Sequence, residues 1–140
     1  MLEERRGTCS TKHAFLAALA QENEFPVRLM MGYYLMNKQN TPAIGDTLDD
    51  YRLPYFLEGH CYLKFQNQIL DVTFPERIKT ELGFDIFDEQ EISPFELHIK
   101  PFNHKEKMKK WLKNNPSYPV QDIDRLWEIR EACIKAIGNH

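Results

Sequence analysis

Three residues of this sequence could act together in nucleophilic catalysis: Cys9, His60 and Asp71. Cys9 directly precedes an alanine- and leucine-rich stretch that predicts a helix, so its sulfur is expected at the helix N-terminus. The unpaired backbone N–H groups and the dipole of a helix favour an anion there, and both lower the pKa of a thiol. Because the thiolate is the nucleophilic form of cysteine, this placement favours reaction over packing.

A cysteine nucleophile needs a base, and the segment from His60 to Phe74 offers one in a predicted β-hairpin. With the turn centred on Gln66-Asn67, the alternation of side chains puts His60 and Asp71 on the same, more polar face. They are then diagonal neighbours, with backbones about 7–8 Å apart and side chains within reach. The histidine can exchange a proton while the aspartate fixes its tautomer. Cys61 is expected on the apolar face, turned away from this site.

The elements that must position these residues follow from hydrophobic periodicity. A helix is predicted from Thr8 or Cys9 to about Asn23, which is a candidate left-handed stop. Its segment 14–20 is apolar nearly all round, which predicts a buried helix. Residues 27–36 predict a buried strand. Residues 37–56, rich in proline and aspartate, predict a long loop, either a surface insertion or a substrate-facing lid.

Beyond Pro75 the pattern is weaker. Residues 91–100 predict a further strand, with Pro94 favouring an edge or an early position in it. A helix is expected from Asn103 through Lys113, and a last amphipathic one from Asp122 or Asp124, closed by Gly138.

Two segments of the sequence resemble the transglutaminase-like superfamily. The segment RGTCSTKHAFLAALAQENEFPVRLMMGYY is similar to that family's nucleophile helix and following strand, and GHCYLKFQNQILDVTFP to its Gly-His and Asp-x-Thr block. The resemblance covers about residues 5–76. It implies Cys9 as the nucleophile, His60 as the general base and acid, and Asp71 as the residue that orients the histidine.

The resemblance also implies an α+β fold with a papain-like core, a buried nucleophile helix on an antiparallel sheet. We expect a single domain over residues 1–140, with a core at 5–100 and a C-terminal helical extension at 101–140. Arylamine N-acetyltransferases share this layout, but their Arg-Gly-Gly-x-Cys opening is not matched here.

Such enzymes take a further oxyanion donor from a segment well upstream of the cysteine. Only eight residues precede Cys9, so this donor is either missing or comes from elsewhere in the fold, with Tyr34 and Tyr62 as candidates that are otherwise ordinary structural tyrosines. His13, four residues after Cys9, could contact the sulfur or serve as the base, but a solvent-facing role is favoured because no neighbour in sequence orients it. His98 and His104 lack metal-ligand spacing, so neither a metal nor a cofactor is implied.

Composition narrows the class of protein. The net charge is −3; residues 1–100 hold 10 Lys and Arg against 16 Asp and Glu, and residues 101–140 hold 8 against 5. The basic segment 105–113 lacks interleaved aromatic residues, which argues against nucleic-acid binding. Three cysteines without a CxxC pair, no signal peptide and no apolar run of membrane length predict a cytoplasmic protein without membrane contact.

Two hypotheses follow. The first is a thiol-dependent acyl-transfer enzyme acting on a peptide, protein or other amide, with cysteine peptidase or amidase hydrolysis favoured over transamidation because the sequence has no calcium-type acidic loop. The second is a transglutaminase-like module of weak or no activity that binds a peptide or protein partner.

Overall fold

The computed structural model describes residues 9–73 and 78–138, without the side chain of Cys9. Across these residues it holds four α-helices, two 3₁₀ turns and a four-stranded antiparallel sheet, so the predicted α+β class is confirmed. The chain divides into two compact units. The first unit is Met1–Tyr34 with Gly59–Lys100, and the second is Leu35–Glu58 with Pro101–His140. The papain-like arrangement and the single domain stay predictions.

Helix α1 spans Cys9–Glu22, which confirms the helix predicted after the cysteine. Its burial differs from the prediction. Ala14 and Ala17 are buried, whereas Phe15 and Leu19 are 42% and 47% exposed. The expectation of a helix buried all round is therefore wrong: the small side chains face the interior and allow close packing, while bulky ones face outward. Composition cannot distinguish the two arrangements when every face is apolar.

The chain leaves α1 one residue later than predicted. Glu24, not Asn23, takes the left-handed conformation, with φ of 62°. The side-chain amide of Asn23 instead donates to the carbonyl oxygen of Leu19 at 2.8 Å. Asn23 thus satisfies one of the orphan carbonyls at the helix end with its side chain rather than its backbone.

The sheet has the strand order β3-β2-β1-β4. Its strands are β1 (Arg28–Met36), β2 (Phe56–Phe65), β3 (Gln68–Leu70) and β4 (Asp88–Glu91). The predicted hairpin is confirmed in its register, because Phe65 pairs with Gln68 and Lys64 with Ile69. Gln66 and Asn67 both have positive φ, 50° and 67°, as a two-residue hairpin turn requires.

The strand predicted over residues 91–100 is largely wrong. β4 lies just before it and pairs antiparallel with Met30–Tyr33 of β1, and residues 97–99 form a 3₁₀ turn. Pro94 has no N–H to donate, and the Ser93 hydroxyl accepts from the backbone N–H of Phe95 at 3.2 Å, which favours a turn. The strand that does form, DEQE, is acidic and polar, and its conformation is set by the β1 edge that it pairs with.

In the second unit, residues 37–56 are not a plain surface insertion. They contain a 3₁₀ turn, Pro42–Ile44, and the short helix α2, Thr47–Asp50. Both elements contact the last helix of the chain. Four apolar side chains of this segment are buried: Ile44, Leu48, Leu53 and Phe56. The alternative of a substrate-facing lid stays a prediction.

Two helices complete the second unit. α3 spans Lys100–Asn114, three residues longer at its start than predicted, with Pro101 in its first turn, where a missing N–H is tolerated. α4 spans Ile123–Gly138, and Asp122 caps it by accepting from the backbone N–H of Asp124 at 3.0 Å, as one of the two predicted starts requires. Among the helices in residues 9–73 and 78–138, none has the length and apolar character of a membrane span.

Candidate active site

His60 and Asp71 are in direct contact. The Nε2 atom of His60, on β2, lies 2.8 Å from Oδ2 of Asp71, which directly follows β3. The hairpin register brings them together: Leu63 pairs with Leu70, so the same register places Tyr62 opposite Asp71 and makes His60 the diagonal neighbour of Asp71 on that face. The side chains are 14% and 9% exposed, so the contact is largely shielded from water and accessible at one edge.

Both the carboxylate and the backbone of Asp71 form hydrogen bonds with neighbouring residues. Its Oδ1 atom accepts from the backbone N–H and the hydroxyl of Thr73, at 3.0 and 2.6 Å. Its backbone forms two hydrogen bonds with Lys79, at 2.8 and 2.9 Å. Burial raises the pKa of Asp71, but the hydrogen bond and positive charge of His60 and the hydrogen bonds of Thr73 together outweigh it. The net pKa lies well below the usual range, so the carboxylate stays ionised at neutral pH.

This contact fixes the role of each nitrogen of His60. With Nε2 against a carboxylate, a neutral imidazole keeps its proton on Nε2, and Nδ1 carries the lone pair. Nδ1 is therefore the atom that can exchange a proton with a nucleophile.

The first turns of α1 lie against the same hairpin. The Cys61 thiol contacts Oγ of Ser10 at 3.5 Å, and Nζ of Lys12 donates to the carbonyl oxygen of Thr73 at 2.9 Å. Ser10 and Cys61 directly follow Cys9 and His60 in the chain, so the backbone of Cys9 lies at the hairpin end that bears the histidine.

The side chain of Cys9 lies outside the described residues, as do the predicted positive neighbours Arg5 and Arg6 and the flanking Gly7. The part that Cys9 plays in the site stays a prediction. Cys61 is fully buried. The expectation that strand alternation turns Cys61 away from the site stays a prediction. Cys61 does contact Ser10, the residue next to Cys9.

His13 is placed differently from the prediction. It is fully buried rather than solvent-facing, and its Nε2 atom accepts from the backbone N–H of Val72 at 2.9 Å. The same atom lies 3.6 Å from Oδ1 of Asp71. The sequence argument failed because it considered only neighbours in sequence, and these contacts are 59 residues away.

The more polar face of the hairpin is covered, which the alternation pattern did not predict. Tyr62, on the same face as His60, is fully buried, and its hydroxyl donates to the carboxylate of Glu89, which also accepts from Lys64. Burial and the neighbouring Glu89 raise the pKa of Tyr62. Because this hydrogen bond uses the single hydroxyl proton, the arrangement does not support Tyr62 as an oxyanion donor.

Phe84 is a site residue that no sequence signal indicated. Its ring stacks on Tyr34, with centroids 3.7 Å apart, and meets the ring of His60 edge-on at 5.5 Å. Tyr34, the other predicted oxyanion donor, is thus 3% exposed beneath an aromatic partner. The ring of Phe84 therefore packs against the imidazole that Asp71 contacts.

No group of three metal-binding side chains occurs in the part of the chain that the structure describes. His104 lies in the second unit, where it is buried with Nε2 3.0 Å from the carbonyl oxygen of Leu57. His98 lies in the first unit.

Comparison of the chain with protein-family models, curated proteins and solved structures gives no significant match. The resemblance to the transglutaminase-like superfamily therefore rests on the motifs around Cys9 and around His60 and Asp71.

Proposed function

We propose that this protein is a thiol-dependent acyl-transfer enzyme of transglutaminase-like type, which hydrolyses an amide bond through Cys9, His60 and Asp71. The observation that carries the proposal is the 2.8 Å contact between His60 Nε2 and Asp71 Oδ2, in a hairpin that the first turns of α1 contact. A histidine oriented by a buried carboxylate beside a helix that begins with cysteine has the parts of a nucleophile, a base and an orienting group.

In the proposed reaction the Cys9 thiolate attacks the carbonyl carbon of the substrate. The carbon–nitrogen bond then breaks while His60 passes the proton on Nδ1 to the leaving nitrogen, which leaves a thioester on Cys9. Nδ1 next accepts a proton from water, whose oxygen attacks the thioester carbon and releases the acid and the thiolate. Asp71 stays ionised throughout and stabilises the imidazolium.

The oxyanion of the tetrahedral intermediate needs hydrogen-bond donors. The N-terminus of a helix presents backbone N–H donors, and we assign this role to the start of α1. These N–H groups need no contribution from Tyr62, whose hydroxyl donates to Glu89.

Water as the acceptor gives a cysteine peptidase or amidase, and a second amine gives a transamidase. We favour hydrolysis of a peptide, protein or small amide substrate. The catalytic thiol must stay reduced, and a sequence with three sparse cysteines and no CxxC pair is compatible with the cytoplasm, where we place the protein.

The proposal is tested with p-nitrophenyl acetate, an activated ester that does not depend on the unknown natural substrate. We expect a burst of nitrophenol with an acetyl group on Cys9, located by peptide mass spectrometry. His60→Ala should slow the burst by about 100-fold or more, and Cys133→Ala, in the second unit, should leave it unchanged. A burst of equal size in Cys9→Ala would contradict the proposal.

One observation favours the alternative of a weakly active binding module: α1 exposes Phe15 and Leu19, an apolar surface that a partner could cover. Under that alternative no acetyl group accumulates on Cys9, and His60→Ala has no effect on the reaction with the ester.

A further inference from the structure

His13 is a buried polar side chain that the proposed reaction does not use. It lies on α1 one turn after Cys9 and has no exposed surface. Its Nε2 atom accepts the backbone N–H of Val72 at 2.9 Å and lies 3.6 Å from the nearer oxygen of Asp71. Its ring meets that of His60 edge-on, with centroids 6.5 Å apart.

The Val72 contact fixes the protonation state of His13. A nitrogen that accepts a hydrogen bond carries no proton, so the neutral ring must hold its proton on Nδ1. A charged ring would place an N–H group against the N–H group of Val72 and lose this bond. The Asp71 carboxylate would attract a charged ring from 3.6 Å, but its Oδ1 already accepts two hydrogen bonds from Thr73 and its Oδ2 faces His60, so the hydrogen bond from Val72 is what favours the neutral ring.

The position of Val72 determines the position of Asp71. The two residues are adjacent at the end of the hairpin, after the last paired residue of β3, Leu70. On the other side the backbone of Asp71 forms an isolated bridge with Lys79. A displacement of about 1 Å at this segment is enough to break a hydrogen bond of 2.8 Å.

We propose that His13 is a positioning residue for the orienting carboxylate of the site: by accepting the Val72 N–H it ties the hairpin end to α1 and holds the Asp71 carboxylate against His60. The helix that carries the nucleophile thereby also positions the carboxylate that orients the base. The inferred effect of His13 on His60 holds whether or not the protein is an enzyme. Only the expected effect on the reactivity of Cys9 rests on the proposed function.

Two variants separate the hydrogen bond from the volume of the ring. His13→Gln keeps an acceptor oxygen at about the reach of Nε2, whereas His13→Leu keeps an apolar side chain and removes the acceptor. The matched control is His104→Leu, which removes another buried helical histidine bonded to a backbone group, in the second unit.

The first readout is the ¹⁵N spectrum of the imidazoles in the native protein. We expect His13 neutral at pH 7 with its proton on Nδ1.

The second readout is the titration of His60. The positive charge of His60 helps to lower the pKa of Asp71, so by reciprocity the carboxylate favours the charged form of His60. Loss of that contact should move the titration of His60 to lower pH in His13→Leu, towards its value in Asp71→Asn. His13→Gln should restore most of it, and His104→Leu should not move it.

The third readout is alkylation of Cys9 by iodoacetamide at pH 6, which should fall by about tenfold in His13→Leu. A proton on Nε2 of His13 in the native protein, or an unchanged His60 titration in a folded His13→Leu, would overturn the inference. If His13→Leu does not fold, the tautomer of the native protein and the His60 titration of His13→Gln decide. An unreactive Cys9 with a shifted His60 titration would refute the proposed function and leave the inference standing.

Discussion

His60 and Asp71 are eleven residues apart in sequence, and their side chains meet at 2.8 Å across the end of one hairpin. The carboxylate accepts from Thr73 with its other oxygen, so both sides of Asp71 are engaged and its direction is fixed. The contact therefore has consequences for stability as well as for chemistry.

Replacement of Asp71 tests those consequences for stability. Its pKa is lower in the folded chain than in the unfolded chain, so its contribution is present above pH of about 4 and is lost as the pH falls below that value. Asp71→Asn should lower the free energy of unfolding by about 3 kcal/mol at pH 6, with a difference from wild type that shrinks below pH 4. Urea unfolding at several pH values measures this. Asp85→Asn, at an exposed position, is the control, and a difference that does not depend on pH would contradict the role given to the Asp71 charge.

The contact between Ser10 and Cys61 predicts that an engineered disulfide can join these two positions. Their side-chain oxygen and sulfur atoms lie 3.5 Å apart, so in a Cys9→Ser background, Ser10→Cys should form an intramolecular bond with Cys61 on mild oxidation. Peptide mass spectrometry identifies the linked pair, and Cys61→Ala provides the control. Failure to form this bond in the folded protein would show that α1 does not begin beside β2.

Gly32 of β1 pairs with Glu89 of β4, and Ile86 and Tyr62 leave no room for a larger side chain there. A methyl group there would lie 2.8 Å from Cδ1 of Ile86 and 2.8 Å from the ring and hydroxyl of Tyr62. Gly32→Ala should therefore destabilise the fold by roughly 1–3 kcal/mol in chemical denaturation.

Its matched control is Gly83→Ala, where a methyl group would meet nothing within 4 Å. Ile86→Val removes Cδ1, so the double variant with Gly32→Ala should lose less stability than the sum of the single variants. Equal losses for Gly32→Ala and Gly83→Ala would refute the close packing of this face.

The second unit contains a buried ion pair that predicts a large stability effect. Nε of Arg130 donates to Oε1 of Glu58 at 2.9 Å, and the two side chains are 13% and 6% exposed. Arg130→Met should destabilise the protein by about 3–5 kcal/mol, because it leaves the charge of Glu58 in a buried position without its guanidinium.

The same helix offers the control. Arg125 pairs with Glu128 at 3.4 Å with both side chains more than half exposed, so Arg125→Met should change the free energy of unfolding by about 0.5 kcal/mol or less. Thermal and urea unfolding measure both variants. Similar effects of the two substitutions would contradict the buried position of the Glu58–Arg130 pair.

The features that were predicted from sequence are those that local rules determine. The hairpin register follows from side-chain alternation and from the two-residue turn at Gln66-Asn67, and it places His60 beside Asp71 without knowledge of the rest of the fold. The cap of α4 by Asp122 is local in the same sense.

The features that were missed depend on partners distant in sequence. β4 is a polar segment that becomes a strand because β1 offers an unpaired edge. The burial of His13 depends on which face of an all-apolar helix meets the hairpin, and the position of Phe84 over His60 depends on a segment without periodicity. His13 and Phe84 both lie next to His60 in the candidate site, where tertiary contacts determine the chemistry.

The most direct test of the proposed Cys9–His60–Asp71 site is the rate of Cys9 alkylation by iodoacetamide as a function of pH, resolved by peptide for all three cysteines. Cys61 and Cys133 are internal controls: both are buried, and burial with the charge of Glu58 raises the pKa of Cys133 to about 11. We expect Cys9 to react first, at pH values well below the free-thiol midpoint of about 8.5, and His60→Ala to move its profile to higher pH. A Cys9 profile like that of free cysteine, unchanged by His60→Ala, would contradict the account.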